Sequence, residues 1–396
     1  MTMNVLAYGF SLLSARVLGP RSFGEVSSLL GVLIVASVGA LALQATAARR
    51  LATTPPQQRG AVTADVLRNA RRVAAAFAGV LLLAAPVLHQ ALHLDSWLSA
   101  ALPAGASVPL TMMGAYAGVL QGERRWRALA AVFAGLGAGR LLAGGIAVLV
   151  SPTVTAAMIG VTLGAFVPAV LGALSMQAGS RSATGADHQP VLRELWTNGH
   201  ILLAFFAFTN LDVLLARHLL DQNDAGIYAA GAILAKACLF MPTFVLVVAF
   251  PDMARDRSGR PWLKPLLAVA ALGVLATVGA GVIPDLAVAF AGGSEYAELA
   301  DVAWLFAAEG TLFACLQILV YDTIAGQSHA GSALWLGTAV VVIVALVALD
   351  SVLAIVATVA MVAAAVGLVT ACLTSRVPDP ANHSVTRFVP GATHPD

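Results

Sequence analysis

NLDVLLARHLLDQNDAGIYAAGAILAKACLFMPTFVLVVAFPDMAR, residues 210–255, contains two apolar runs joined by a short polar turn. The runs extend over about 197–220 and 226–250, and each supplies the ~20 apolar residues that a bilayer-spanning helix needs. Inside them the charged residues are few: Asp212, Arg217 and Lys236. A basic cluster, Arg255, Arg257 and Arg260, follows where the second run ends. The same alternation continues in both directions. Further apolar stretches fall at about 1–18, 25–48, 73–94, 100–121, 128–150 and 153–176, then at 263–290, 298–324, 331–349 and 351–374. The pattern predicts an all-α integral membrane protein with about 12 transmembrane helices. Composition agrees, because only 11% of residues are charged whereas a soluble domain carries roughly 25%. Hydrophobic residues make up 59% and mean hydropathy is +0.86, which excludes soluble enzymes and nucleic-acid-binding modules.

The longest polar gap, QAGSRSATGADHQPVLRELW (residues 177–196), divides the spans into six and six. The expected organisation is an N-terminal lobe over 1–176, a cytoplasmic linker over 177–196 and a C-terminal lobe over 197–374. A Pro-rich tail over 375–396 lacks the apolar content to fold and reads as disordered. TTPPQQRGAVTADVLRNARR, residues 53–72, reads as a short amphipathic helix on the cytoplasmic surface. Loop charge gives orientation. All basic residues except Arg16, Arg21, Arg140, Arg217 and Lys236 fall on one side, and Asp95, Asp221, Asp224, Glu295, Glu298 and Asp350 on the other. By the positive-inside rule both termini are cytoplasmic. Trp97, Trp126, Trp196, Trp262, Trp304 and Trp335 sit near span ends, as an interfacial aromatic belt requires. No cleavable signal peptide is evident: Met1–Leu13 carries no charged leader region and runs on to Arg16.

An internal repeat relates the halves. Ala15-Arg16-Val17-Leu18, ahead of Phe23-Gly24, corresponds to Ala216-Arg217-His218-Leu219, ahead of Ala225-Gly226; Gly122 corresponds to Gly326. The nearly constant offset across these landmarks predicts two lobes related by a pseudo-two-fold axis along the membrane normal, with a cavity between them. Arg16 follows fewer span residues than Arg217 does. Two readings of that short first span stand open, a chain start lying upstream or a short helix that thins the bilayer locally.

Charges inside the membrane are costly and usually face a cavity or a partner. Arg16 and Arg217, at equivalent span ends, either snorkel to the interface or form a pair of guanidinium forks suited to phosphate. Asp212 and Lys236 come to similar depth on adjacent helices, as a structural pair or as a coupling carboxylate with a cationic neighbour; Asn210 could share that site. Arg140 lies in a glycine-rich span five and Glu309 in mid-span ten. Tyr321 and Asp322 are weaker candidates. Cys238, Cys315 and Cys372 lie in separate apolar runs and read as small buried residues. No G-x-x-x-x-G-K-[ST] loop, metal-ligand spacing or catalytic triad is present, so no cofactor, metal or catalytic residue is expected and the chain is not read as an enzyme.

Two segments resemble a known family. ARVLGPRSFGEVSSLLGVL from Ala15, with its R-x-L-G-x-x-x-F-G turn, and residues 210–255, with N-x-D, A-R and A-G-x-Y-x-A, are similar to the polysaccharide/O-antigen flippases of the multidrug/oligosaccharidyl-lipid/polysaccharide (MOP) exporter superfamily. The resemblance implies a MATE-like fold in a bacterial cytoplasmic membrane. It implies transport of an undecaprenyl-pyrophosphate-linked oligosaccharide by alternating access, for cell-surface polysaccharide biosynthesis. A polysaccharide polymerase or glycosyltransferases are the candidate partners. It places Arg16 and Arg217 at cationic cavity positions, while Arg140 and Lys236 rest on intramembrane placement alone. Leu220-Asp221, where the first copy has Gly19-Pro20, departs from the pattern. A drug or metabolite exporter, of this superfamily or the major facilitator type, is the alternative; Asp256-Arg257-Ser258-Gly259-Arg260 echoes the latter's loop motif. The outer loops are too short for a glycosyltransferase or polymerase, and a non-transporting scaffold is a further competing reading.

Overall fold

Two residues set the first reversal of the chain. Gly19 holds a left-handed backbone (φ 69°), a conformation that costs other residues roughly 1–2 kcal/mol. Pro20 then opens the next helical run, where its missing N–H loses nothing. In the computed structural model, which describes residues 2–177, 191–240, 245, 260, 262–326, 331–348 and 351–374, α1 (Thr2–Ala36) is therefore two antiparallel halves. Met3, Phe10 and Leu13 run alongside Gly137, Gly144 and Gly145 in one direction. On the return, Gly24 meets Gly226 and Gly31 meets Asn210.

The first lobe continues with α2 (Val38–Thr53), α3 (Arg59–Ala91), α4 (Trp97–Gly122) and α5 (Trp126–Gly139). A π-helical turn at Arg140–Gly144, then α6 (Gly145–Val150) and α7 (Val154–Gln177), complete it. The second comprises α8 (Val191–Leu219), α9 (Gln222–Phe240), α10 (Leu263–Val282), α11 (Pro284–Ala291) and a 3-10 segment (Ser294–Asp301). It ends with α12 (Ala303–Gly326), α13 (Gly331–Ala348) and α14 (Val352–Thr374). Among the described residues every regular element is a helix, and nine helical segments are long and apolar enough to cross a membrane, α1 and α2 counting as one.

Burial follows membrane logic. Leu82, Leu83 and Val87 of α3, Val274 and Leu275 of α10, and Val347 of α13 are exposed apolar side chains, as a lipid-facing surface requires. The interior holds Phe205, Phe208, Tyr228, Phe306 and Phe313 around α8, α9 and α12. Close helix approach uses small residues: Gly114, Gly118 and Gly122 of α4 lie against the backbone of Ala40, Gln44 and Ala48 of α2.

Several boundaries differ from the sequence reading. The polar stretch after Thr53 is not a separate amphipathic helix: from Arg59 it is the first part of α3, because nothing breaks the helix between Arg72 and the apolar residues beyond. The segment expected over 263–290 divides at Ile283-Pro284, where proline cannot extend the preceding hydrogen-bond ladder. Helix α8 starts at Val191, within the stretch read as linker. Most of the linker (178–190), the Asp-Arg-Ser-Gly segment and the C-terminal tail lie outside the described residues.

The repeat has a direct structural counterpart. Gly24 and Gly226, equivalent by sequence, touch each other across the lobe interface, as residues on a two-fold axis must. A Cβ on Gly226 would fall on the Pro20 carbonyl. Gly226→Ala is therefore expected to force the lobes apart at about 1–3 kcal/mol and to lower the unfolding temperature of the solubilised protein. Gly279→Ala, where no atom lies within 4 Å of the new Cβ, should leave it unchanged.

Candidate functional site

The helix ends define two poles. Arg49, Arg50, Arg59, Arg68, Arg71, Arg72 and Arg124 gather at one, the basic end. Asp95, Asp221, Asp224, Glu295 and Glu298 gather at the other, the acidic end. Between the lobes, partway along α1, α5 and α9, lies a cavity of about 260 Å³.

Local sequence explains what faces it. Helix α5 carries Gly135, Gly137 and Gly139, and the last packs its backbone against Gly164 of α7. Packed closely against α7 and α1, the helix widens into the π turn that begins at Arg140; such single-turn bulges are frequent at functional sites. Arg140 points into the cavity from the first lobe. From the second, α9 presents Ala229, Ala232, Ile233, Lys236 and Phe240 at helical spacing, so Lys236 faces Arg140 across the interface. Asn4, Tyr8, Ser11, Ser27 and Ser37 supply polar groups, and among the described residues no carboxylate lines the cavity. Among the described residues neither Arg140 nor Lys236 has a hydrogen-bond or ion-pair partner. An apolar groove of about 610 Å³, lined by α1, α9, α10 and α11, shares Asn4, Tyr8 and Phe240 with the cavity.

Behind Lys236 lies an acidic pocket within the second lobe. Asp212 is buried, one oxygen accepting from the Tyr228 hydroxyl at 3.3 Å and the other without a hydrogen-bond partner. Glu309 is fully buried with both oxygens unpartnered. Asn210 donates its amide to the Phe206 carbonyl at 2.8 Å, and its own oxygen is unpartnered. The direct Asp212–Lys236 pair allowed by the sequence is not formed within 4.0 Å, although each lies in the other's electrostatic field. Asp212 and Glu309 lie in each other's electrostatic field, and their unsatisfied oxygens suit a proton or a monovalent cation. Asn210, two residues from Asp212 on α8, is not brought to them and instead lies against Gly31 of α1.

Arg16 and Arg217 stand elsewhere. Both are at the acidic end, and each reaches across the interface to the carbonyl end of a helix in the opposite lobe. Arg217 donates through Nε to Leu92 O at 2.8 Å and through an Nη to His93 O at 3.0 Å. Arg16 donates to Ala289 O at 3.0 Å. Both targets are C-terminal carbonyls, where the helix dipole concentrates negative charge. The symmetry of the pair is thus a symmetry of cross-lobe clasps. It is uneven, because Arg16 is exposed while Arg217 is 2% exposed and ion-paired to the fully buried Glu25 at 3.3 Å. His218 reaches Ala91 O at 2.9 Å and stacks near His93. Tyr296 donates to Ala15 O at 2.9 Å, its phenol held protonated as burial and then Glu295 raise its pKa. Glu25, Tyr8 and Tyr228 were not singled out as sequence candidates. Glu25 opens an apolar run and has no counterpart in the second copy, where Ile227 stands; its presence directly after the Gly24 landmark is the available signal.

No protein-family model matches the sequence, and no curated protein matches it. Solved structures do. An inward-facing multidrug-resistance MATE transporter of the MOP superfamily superposes with a TM-score of 0.73 at 12% identity, covering 94% of this chain and 93% of its own. The lipid II flippase MurJ, in an inward closed conformation, gives 0.73 at 9% identity over 94% and 84%. A MOP superfamily transporter from Pyrococcus furiosus, described as having a binding pocket of reverse polarity, gives 0.64 at 10% over 94% and 91%. The chain is thus a multi-pass membrane protein with the two-lobe, MATE-like fold that these MOP superfamily transporters share.

Proposed function

We propose that this protein is a secondary transporter that moves an anionic, lipid-linked sugar conjugate across the bilayer by alternating access. One observation carries the reading: two cations from opposite lobes, Arg140 and Lys236, face one interfacial cavity, and among the described residues neither forms an ion pair within 4.0 Å. Asp212 and Glu309 lie behind Lys236 and outside the lining, so on the cavity side both cations are open to an anion. A buried cation that gains a direct anionic partner is relieved of part of its desolvation cost. A guanidinium fork and a mobile ammonium together suit a phosphate or pyrophosphate group. The apolar groove that meets the cavity at Asn4, Tyr8 and Phe240 favours an amphiphile over a soluble metabolite: the lipid chain has somewhere to lie while its headgroup is in the cavity. An undecaprenyl-pyrophosphate-linked oligosaccharide, destined for cell-surface polysaccharide, fits both features.

In this reading the basic end and both termini face the cytoplasm of a bacterial cytoplasmic membrane. The lobes span 1–176 and 197–374, joined by the 177–196 linker and followed by the 375–396 tail. Asp212 and Glu309 take the coupling ion, and Asn210 lies on the adjoining face of α8. Arg16 and Arg217 stand along the same path at the acidic end, where Arg217 would meet the headgroup only after leaving Glu25. A polymerase or glycosyltransferases would lie on either side of this step. Export of a cationic drug, the main alternative, sets like charges against Arg140 and Lys236.

The test is reconstitution in liposomes with a fluorescent prenyl-pyrophosphate-linked oligosaccharide and, separately, a cationic dye. Saturable flipping of the lipid-linked sugar without dye transport is expected. Dye transport without sugar flipping would instead favour the drug exporter.

A further inference from the structure

Asp212, Tyr228 and Glu309 of the acidic pocket are not among the residues that line the cavity, and Lys236 borders both groups. Helix α9 has two working faces. Tyr228 reaches Asp212 on one, and on that side Gly231 and Ala235 pack against Phe306 and Gly310 of α12, next to Glu309. Ala229, Ile233 and Lys236 form the other, which lines the cavity. Lys236 sits at the boundary. Its ammonium feels Asp212 and Glu309 from behind and Arg140 from across the cavity, while the described residues that line the cavity include no acid. The titratable and charged groups facing it are thus Asp212 from α8, Glu309 from α12 and Arg140 from the π turn, with Tyr8 from α1 in the same lining and Tyr228 of α9 reaching it only through Asp212.

We propose that Lys236 is a shared counter-ion that makes cation binding in the acidic pocket and anion binding in the cavity mutually dependent. With the pocket empty, the carboxylates of Asp212 and Glu309 draw the lysine back on its flexible four-carbon stem. Their unpartnered oxygens leave it the nearest positive charge. A proton or a sodium ion among those oxygens takes over that role, and the ammonium is released towards the anion beside Arg140. Linkage is reciprocal, so an anion that engages Lys236 leaves the carboxylates short of positive charge and strengthens cation binding by the same factor. Cation and anion therefore bind together instead of displacing one another. This inference rests on the anionic-substrate reading above but goes beyond it, fixing the sign of the coupling and the residue that carries it.

The experiment uses the full chain in nanodiscs, with inorganic pyrophosphate as the probe and binding followed by calorimetry. One series varies sodium at fixed pH and the other varies pH in sodium-free buffer, which separates the two cation sources. Expected is an affinity for pyrophosphate about 10-fold tighter with the effective cation, within the usual range of coupling between sites. Lys236→Gln should bind more weakly and lose that dependence, leaving only the probe's own protonation. Glu309→Gln, the same shape without the charge, should bind tightly even without cation; its unfolding temperature, measured alongside, reports that the fold is retained. If the wild type binds pyrophosphate with no cation dependence, or Lys236→Gln keeps the full dependence, the shared-counter-ion proposal is overturned while the anionic cavity stands. If the wild type does not bind pyrophosphate at all, the anionic-cavity reading itself falls, and this inference with it.

Discussion

Replacing Arg140 and Lys236 together by glutamine is expected to reduce transport of the lipid-linked sugar by a factor of about 10²–10⁴, with the protein still inserted and folded. The magnitude follows from the chemistry of the cavity. A hydrogen bond to a charged group contributes about 1.5–3 kcal/mol, and two such contacts to one anion multiply to that range. Each single substitution should cost about 10- to 100-fold on the same basis. Folding should survive, because among the described residues neither side chain forms a hydrogen bond or an ion pair within 4.0 Å, and glutamine fills similar space without a charge to desolvate. Initial rates in proteoliposomes, normalised to reconstituted protein, measure the effect. Rates within twofold of wild type in the double variant would remove both residues from the substrate path.

The second large effect lies at the acidic end. Arg217 joins α8 to the turn after α3, whose Leu92 and His93 carbonyls it caps, and to Glu25 on the returning half of α1. Arg217→Ala leaves Glu25 buried without its counter-charge, a loss of about 3–5 kcal/mol for a broken buried pair. Relief comes from letting water reach Glu25, which means parting the lobes at that end. The expected result is a protein biased towards opening there. A cysteine placed at Ser14, which is fully buried, should react with a membrane-impermeant maleimide at least about 10-fold faster in Arg217→Ala, since a shift of only 1.4 kcal/mol gives that factor. Cys238, Cys315 and Cys372 would be replaced by alanine in the background. Exchanging the pair, Glu25→Arg with Arg217→Glu, should restore part of the protection. Equal labelling in all three proteins would mean that the clasp does not hold this end closed.

These two sites show how far the residues themselves can be read. The apolar runs mark the helices because a bilayer permits little else, and Gly24 and Gly226 reveal the repeat because an axis contact tolerates only small residues. Arg140 and Lys236 stand out as charges within apolar spans. That they face one cavity depends on the π turn at Arg140–Gly144, and the glycines around it only hint at such a turn. Arg16 and Arg217 are legible as a symmetric pair, but their targets are backbone carbonyls, and a carbonyl leaves no mark in sequence. Glu25 escapes for a related reason: its partner lies in the other lobe, and only the crossing of α1 and α8 brings the two together. The first turns of α3 are misjudged because hydropathy tracks the bilayer, whereas a helix continues until something stops it.

The central claim is that the cavity selects an anionic headgroup attached to a lipid. Its most direct measurement is native mass spectrometry of the purified protein with a prenyl pyrophosphate and the matching uncharged prenyl alcohol at equal concentration. The wild type should retain the pyrophosphate at least about 10-fold more than the alcohol, a difference of roughly 1.4 kcal/mol, and Arg140→Gln with Lys236→Gln should erase that preference. Equal retention of the two lipids by the wild type, or a preference that persists undiminished in the double variant, would contradict it.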